Sequence, residues 1–279
     1  MSAARRQLRV LPFAPARMLA SLALAALGVV VAPGAVAQSS EAASITDAAS
    51  TTDTASSTNG EWTGHVTPYL WAFGLDGRAT PFAGAPTIDF DFSFGDLAED
   101  ADGAFFLWAY ARRDRLVLLG DFTESSSSKD GEIQPGVSAD GSVRQTSLTL
   151  AGGWRVFEDE RGAIDVLGGL RQWSLRASVA VPAVGVSRSP SERFIDPIIA
   201  VRASTPLSAN WSLVGYADVG PFGVGSEHTH QWLLSANYLH GDRWAFSFGL
   251  RQLAVDYRDG GTRIDATFSG PLIGASWRF

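Results

Sequence analysis

Large apolar residues recur at every second position through most of the chain beyond residue 61. In Trp244-Ala245-Phe246-Ser247-Phe248-Gly249-Leu250-Arg251 each bulky side chain is followed by a small or polar one. A period of two belongs to a strand, whose successive side chains point to opposite faces; helical spacing does not fit it. The same alternation runs through Leu148–Arg155, Ile195–Arg202 and Ile273–Phe279. It predicts ten strands, at about 62–76, 103–112, 115–127, 142–157, 162–178, 192–204, 210–221, 229–240, 243–257 and 263–279. Their connections alternate in length. Residues 113–114, 158–161, 205–209 and 241–242 are short turns, whereas 77–102, 128–141, 179–191, 222–228 and 258–262 are mostly longer. Short turns on one side and long loops on the other describe a transmembrane barrel with both termini on the short-turn, periplasmic side. The expected fold is therefore all-β, a transmembrane antiparallel up-and-down β-barrel of about ten strands, with eight or twelve as alternatives.

A soluble sandwich would bury the same apolar face against a second sheet. The tryptophans favour the barrel. Trp62, Trp154, Trp211, Trp244 and Trp277 all fall within a few residues of expected periplasmic strand ends, as an interfacial aromatic girdle requires, and Phe279 joins them on the face of Trp277. The barrel's first partner is then outer-membrane lipid. A C-terminal aromatic such as Phe279 also resembles the signal read by the barrel assembly machinery.

Composition narrows the function classes. The chain has 279 residues, a formal net charge of -7, 46% hydrophobic residues and no Cys, so disulfide scaffolds, zinc ribbons, iron-sulfur clusters and thiol nucleophiles are excluded. An acidic chain lacks the basic face that neutralising nucleic-acid phosphates needs. Residues 1–37 read as an export signal: Arg5, Arg6, Arg9 and Arg17 precede an apolar run from Met18 to Ala32 and a small-residue cleavage site at Ala35-Val36-Ala37. Without that segment the chain loses four Arg and no acid, leaving 18 basic against 29 acidic side chains, net -11. Residues 38–60, rich in Ser, Thr and Ala, have too few large apolar side chains to offset the entropy of ordering and read as a disordered tether. One domain, 61–279, remains.

The runs Thr67–Gly77, Phe92–Leu97 and Tyr110–Arg115, with Asp196–Arg202, Ala217–Ser226 and Ser269–Phe279, resemble a widespread family of bacterial OmpA-like outer-membrane barrel proteins. Pro221 and Glu227-His228 depart from that family's pattern. The resemblance implies an outer-membrane location and a closed barrel, and brings no shared catalytic residues.

If the bulky partner in each strand faces lipid, the lumen receives Asp121, Arg155, Asp165, Arg171, Asp196, Arg202, Asp218, Arg251 and Arg278. In a narrow barrel such charges reach across and pair. On the first two strands the facing is open, because the residues between Tyr69, Trp71, Phe106, Trp108 and Tyr110 are not reliably polar. The 77–102 connection carries an amphipathic run, Ile88 to Phe94, into the acidic residues Asp96, Glu99, Asp100 and Asp102. With Gly95 one place late for a calcium loop, a strand extension with a short helical turn at the mouth fits better. His228 and His230 could face one way as a metal pair, but no third ligand stands at motif spacing and no G-x-S-x-G elbow accompanies them. No metal, cofactor or catalytic residue is assigned. Three readings follow: a narrow porin-like path for ions or small solutes, a structural or adhesive barrel plugged by its Arg/Asp network, and a rim hydrolase built on His228 or His230 with Ser226 or Asp256. The first two are non-enzymatic.

Overall fold

The computed structural model describes residues 60–279 except 81, 82, 85, 135, 136, 182–185 and 190. The export signal and the tether up to residue 59 lie outside the described residues. The chain forms β1 (Thr63–Trp71), β2 (Gly74–Thr80), β3 (Ile88–Phe92), helix α1 (Phe94–Glu99), β4 (Ala101–Arg113), β5 (Leu116–Gln134), β6 (Val137–Asp159), β7 (Gly162–Val181), β8 (Val186–Arg188), β9 (Ser191–Pro206), β10 (Trp211–Gly220), β11 (His228–His240), β12 (Trp244–Asp259) and β13 (Thr262–Arg278).

Neighbouring strands pair antiparallel in the order β1, β4, β5, β6, β7, β9, β10, β11, β12, β13, and β13 returns to β1, closing a ten-strand barrel. The first stave is broken: β1 and β2 both pair with β13, and Ala72 and Phe73 between them lie outside the strand pattern although the Ala72 N–H still bonds the Pro271 carbonyl at 2.9 Å. The seam between the chain's ends is sealed by reciprocal bonds of 3.0 Å between Gly64 and Phe279. Among the described residues no helix is long and apolar enough to span a membrane.

Alternation sorts the side chains. The outward series on β5 is Leu116, Leu118, Gly120 and Phe122, then Glu124; on β7 it is Ile164, Val166, Gly168 and Leu170, then Gln172; on β9 it is Val201, Ile199, Pro197 and Ile195, then Arg193. An apolar belt thus ends abruptly at a polar row, the pattern that a hydrocarbon layer imposes on strands. A bulge in β6 between Arg155 and Phe157 leaves two consecutive apolar residues, Val156 and Phe157, on the exposed side.

Two of the long connections, 128–141 and 179–191, depart from expectation. Residues 128–141 are no loop: β5 and β6 stay paired as far as Gln134 and Val137, the backbone ladder running on past the end of the side-chain alternation. At 19, 23 and 20 residues, β5, β6 and β7 are about twice as long as a span needs, ~9–11 residues. The 77–102 connection carries the expected strand extension and short helical turn: the end of β2, then β3 and α1, with Ser93 and Asp96 forming a capping box at the helix start. Within 179–191, β7 runs on to Val181 and pairs with the short β8.

The lumen is also less polar than the alternation alone implies. On the first staves the aromatics face inward: Tyr69, Trp71, Phe106 and Tyr110 are buried, while Leu70 and Phe105 are exposed. Trp71, Phe73, Phe106 and Phe268 pack ring against ring. Trp173, Phe194, Leu253, Val255 and Tyr257 belong to the same apolar cluster, as does Leu97 of α1. Each such side chain contributes about 1.5–3 kcal/mol by burial. A second cluster, containing Val117, Leu119, Leu167 and Tyr216, lines part of the lower wall.

Candidate functional site

Of the charged residues assigned to the lumen, Asp121, Arg155, Asp165, Arg171, Asp196, Arg202, Asp218 and Arg251 are all buried, and Arg278 is half-buried near the terminal mouth. They fall into two ion-pair groups, with Asp196 making a separate contact.

The first group lies towards the short-turn end. Arg155 donates through Nε to Asp165 Oδ1 at 2.8 Å and through Nη1 to Glu158 at 2.7 Å. Its Nη2 donates to the Tyr110 hydroxyl at 2.9 Å, which itself donates to Asp165 Oδ2 at 3.1 Å. Arg202 approaches Asp165 from the other side at 3.3 Å, its guanidinium lying 4.2 Å over the Tyr110 ring. One carboxylate from β7 is thus held by cations from β6 and β9, an arrangement that alternating Asp and Arg on paired strands makes available: Asp165 stands opposite both Arg155 and Arg202 in the ladders.

The second group crosses the barrel. Arg251 on β12 binds both carboxylate oxygens of Asp121 on β5, donates to the Tyr69 hydroxyl, and stands 4.6 Å over the Trp71 ring. Arg171 on β7 forms a two-pronged pair with Asp218 on β10, at 3.0 and 2.6 Å, and also contacts Thr149 and Thr229. Gln231 on β11 joins the halves, its Oε1 accepting from Arg251 at 2.7 Å and from Arg171 at 3.4 Å. The result is a tie running from β5 through β12 and β11 to β7 and β10. Forked guanidinium-carboxylate pairs of this kind fix geometry as well as charge. Sequence reasoning missed Tyr69, Tyr110, Thr149, Thr229 and Gln231. Parity along each strand places the last three inward, but polar neutral residues carry no charge signal that singles them out.

Asp196 serves a loop. It accepts from the Ser226 backbone N–H at 2.7 Å and from the Ser226 hydroxyl at 3.0 Å, clasping the 221–227 connection against β9. Gly225 has φ +83°, and a Cβ there would stand 2.4 Å from both Asp196 Oδ1 and the Ile195 carbonyl, so the clasp requires glycine.

The aromatic residues assigned to a girdle, Trp62, Trp154, Trp211, Trp244, Trp277 and Phe279, are each exposed on the barrel exterior. Trp244 and Trp277 face each other across the β12–β13 ladder. Below the tie, a cavity of about 70 Å³ is lined by His65, Thr67, Trp108, Ser235, Asn237 and Arg278, among others. It shares His65 and Arg278 with a vestibule of about 560 Å³ at the terminal mouth.

The rim constellation does not assemble into a hydrolytic site. His228 and His230 are adjacent, Nε2 to Nδ1 3.2 Å, but the Ser226 hydroxyl is directed at Asp196 and Asp256 is paired with Arg258 at 2.8 Å. Among the described residues no group of three His, Asp or Glu side chains is placed to hold a metal ion.

A closed ten-strand barrel with an apolar belt and an ionic interior has the fold of bacterial outer-membrane β-barrels. No protein-family model matches the sequence and no curated protein matches it. Solved structures do. The outer-membrane protease OmpT from Escherichia coli superposes with a TM-score of 0.51 at 11% identity, over 81% of this chain and 99% of that one. The translocator domain of the autotransporter NalP from Neisseria meningitidis gives 0.45 at 17% identity, over 80% and 90% of the two chains. Ail, the attachment invasion locus protein of Yersinia pestis, gives 0.36 at 11% identity, over 80% and 100%. At such identities the likeness is one of fold.

Proposed function

We propose that this chain is an integral outer-membrane barrel with a closed lumen, a non-enzymatic protein that acts through its outer surface and tall hairpins. The single observation that carries this reading is the tie through Asp121, Arg251, Gln231, Arg171 and Asp218, because it spans the interior with short charge-assisted bonds and is backed by the aromatic cluster. The exposed apolar belt and exterior tryptophans support placement in outer-membrane lipid, exported by the N-terminal signal. Membership of the OmpA-like group, and delivery to the assembly machinery through Phe279, belong to the same proposal. Beyond Glu124 the β5 strand continues to Gln134, ~30 Å of ladder at ~3.3 Å per residue, paired with β6 and rising past the belt. Such a hairpin presents hydroxyl-rich edges to partners outside the cell, which is the structural or adhesive role.

A narrow ion path is the competing reading, favoured by the vestibule and cavity below the tie. Conductance separates the two. Residues 38–279, refolded in detergent, checked by heat-dependent gel mobility and added to a planar bilayer at high salt, should insert and stay silent. Stable unitary steps from the unaltered protein would refute the plug, and charge reversal at Arg171 or Arg251 should then alter ion selectivity.

A further inference from the structure

We propose that the outer face of β6, β7 and β9 carries a binding site for the phosphate groups of a phosphorylated glycolipid in the outer leaflet, formed by Arg144, Arg176 and Arg193. The inference rests on the outer-membrane placement above.

Register brings these three cations together. Arg144 on β6 and Arg176 on β7 are direct cross-strand partners. Arg193 on β9 stands opposite Ser174, one outward step from Arg176 and so diagonal to it. All three side chains are exposed, and each has a buried inward neighbour or core-packed residue beside it in sequence: Gln145, Leu175 and Phe194. Directly opposed like charges destabilise a ladder unless something lies between them. Among the described residues the one carboxylate paired with any of the three is Glu124, whose Oε1 is 3.8 Å from Arg144 Nε. Two positive charges are therefore left over on the surface of a chain that is otherwise acidic.

The contrast with the opposite wall is informative. There Arg78 is held by Asp265 at 2.9 Å and Arg258 by Asp256 at 2.8 Å, so each of these exposed guanidiniums has its own close carboxylate. Arg193 is the first outward residue above Ile195, while Arg144 and Arg176 stand two and three outward steps above Leu148 and Leu170. Arg193 is thus at the depth of the polar headgroups, and the other two stand further out, on the side away from the hydrocarbon. Guanidiniums match phosphate oxygens two bonds at a time, and Ser174 and Ser191, on the same outer face, add hydroxyl donors. A lipid whose acyl chains lie along Leu148, Leu170 and Ile195 would thus place its phosphates among the three arginines.

The test uses residues 38–279 refolded in neutral detergent, with folding confirmed by heat-dependent mobility, and measures binding of bisphosphorylated lipid A, dephosphorylated lipid A and inorganic pyrophosphate. The site predicts retention of the bisphosphorylated lipid, about tenfold weaker binding for each of Arg144→Gln and Arg176→Gln, the worth of one charge-assisted hydrogen bond, and no change for Arg258→Gln. Equal binding of both lipids, or an unaffected Arg144→Gln/Arg176→Gln double variant that still folds, overturns the site while leaving the barrel reading intact. Pyrophosphate binding as tight as the lipid's would make it a free-phosphate site and overturn the lipid assignment. Failure of the unaltered chain to fold in detergent or insert in bilayers would instead sink the outer-membrane reading.

Discussion

Arg251 is the place where the interior can be interrogated most sharply. It is 1% exposed and donates to both oxygens of Asp121, to Tyr69 and to Gln231, so truncating either member of the Arg251–Asp121 pair strands the other charge in the lumen. Breaking a buried pair from one side costs about 3–5 kcal/mol, whereas replacing both members by apolar residues of similar volume is often neutral. Arg251→Met and Asp121→Leu should each destabilise the barrel by about that amount. The double variant should be more stable than the sum of the two singles by at least ~3 kcal/mol, because Gln231 retains Arg171 as a donor and Tyr69 is the main polar group left unpaired. Reversible urea unfolding in lipid vesicles, followed by tryptophan fluorescence and gel mobility, gives the four free energies of the cycle. Additivity within ~0.5 kcal/mol would mean that water satisfies each side chain independently and that the tie does not hold the wall together.

Other expectations follow from single contacts. Gly225→Ala forces a Cβ against Asp196 and Ile195, so the 221–227 loop should open and become cleavable in limited proteolysis while the barrel itself stays folded; an uncut variant refutes the clasp. Trp173→Ala removes a fully buried ring from the upper cluster and should cost about 3–5 kcal/mol in the same unfolding assay. The Ser93 hydroxyl, and then its N–H, hold the Asp96 carboxyl below its ordinary range; a lowered acid pKa stabilises above the unfolded value of ~3.9 and loses that contribution as pH falls through the folded value. The protection of α1 amides, measured as exchange relative to the intrinsic rate at each pH, should therefore fall at acid pH, and Ser93→Ala should abolish that fall. Trp244→Ala with Trp277→Ala should slow insertion into vesicles without altering the folded gel form, as loss of interfacial anchors requires.

The fold was legible because a barrel wall writes its two environments directly into the alternation of residues such as Trp244 to Arg251. The charged interior was legible for the same reason: Asp165 and Arg202 sit on the small-residue parity of strands whose other face is aliphatic. Legibility failed where the two environments resemble each other. Tyr69, Trp71 and Phe106 are apolar yet face the lumen, and period-two reasoning cannot distinguish an aromatic that fills a barrel from one that meets lipid. It failed again at residues 128–134, where the polar run Ser128-Lys129-Asp130-Gly131-Glu132 reads as a loop while the backbone continues to pair. The pairing of Arg144 with Arg176 depends on register between strands, which a one-residue slip would erase, so no reading of either strand alone contains it.

The seam between Gly64 and Phe279 also constrains how the molecule can be made. Every strand but those at the seam is bonded to a neighbour close in sequence, so a growing wall can lengthen step by step, yet its first and last staves join only across the whole chain. Until they meet, a curved sheet has two free margins whose amide and carbonyl groups would be stranded in hydrocarbon, at a cost of several kcal/mol for each unsatisfied group. A half-built wall is thus excluded from the membrane core by its own margins. Insertion and circularisation must then be one event, and any agent that delays the meeting of the two ends will leave material that pairs margin to margin with other copies.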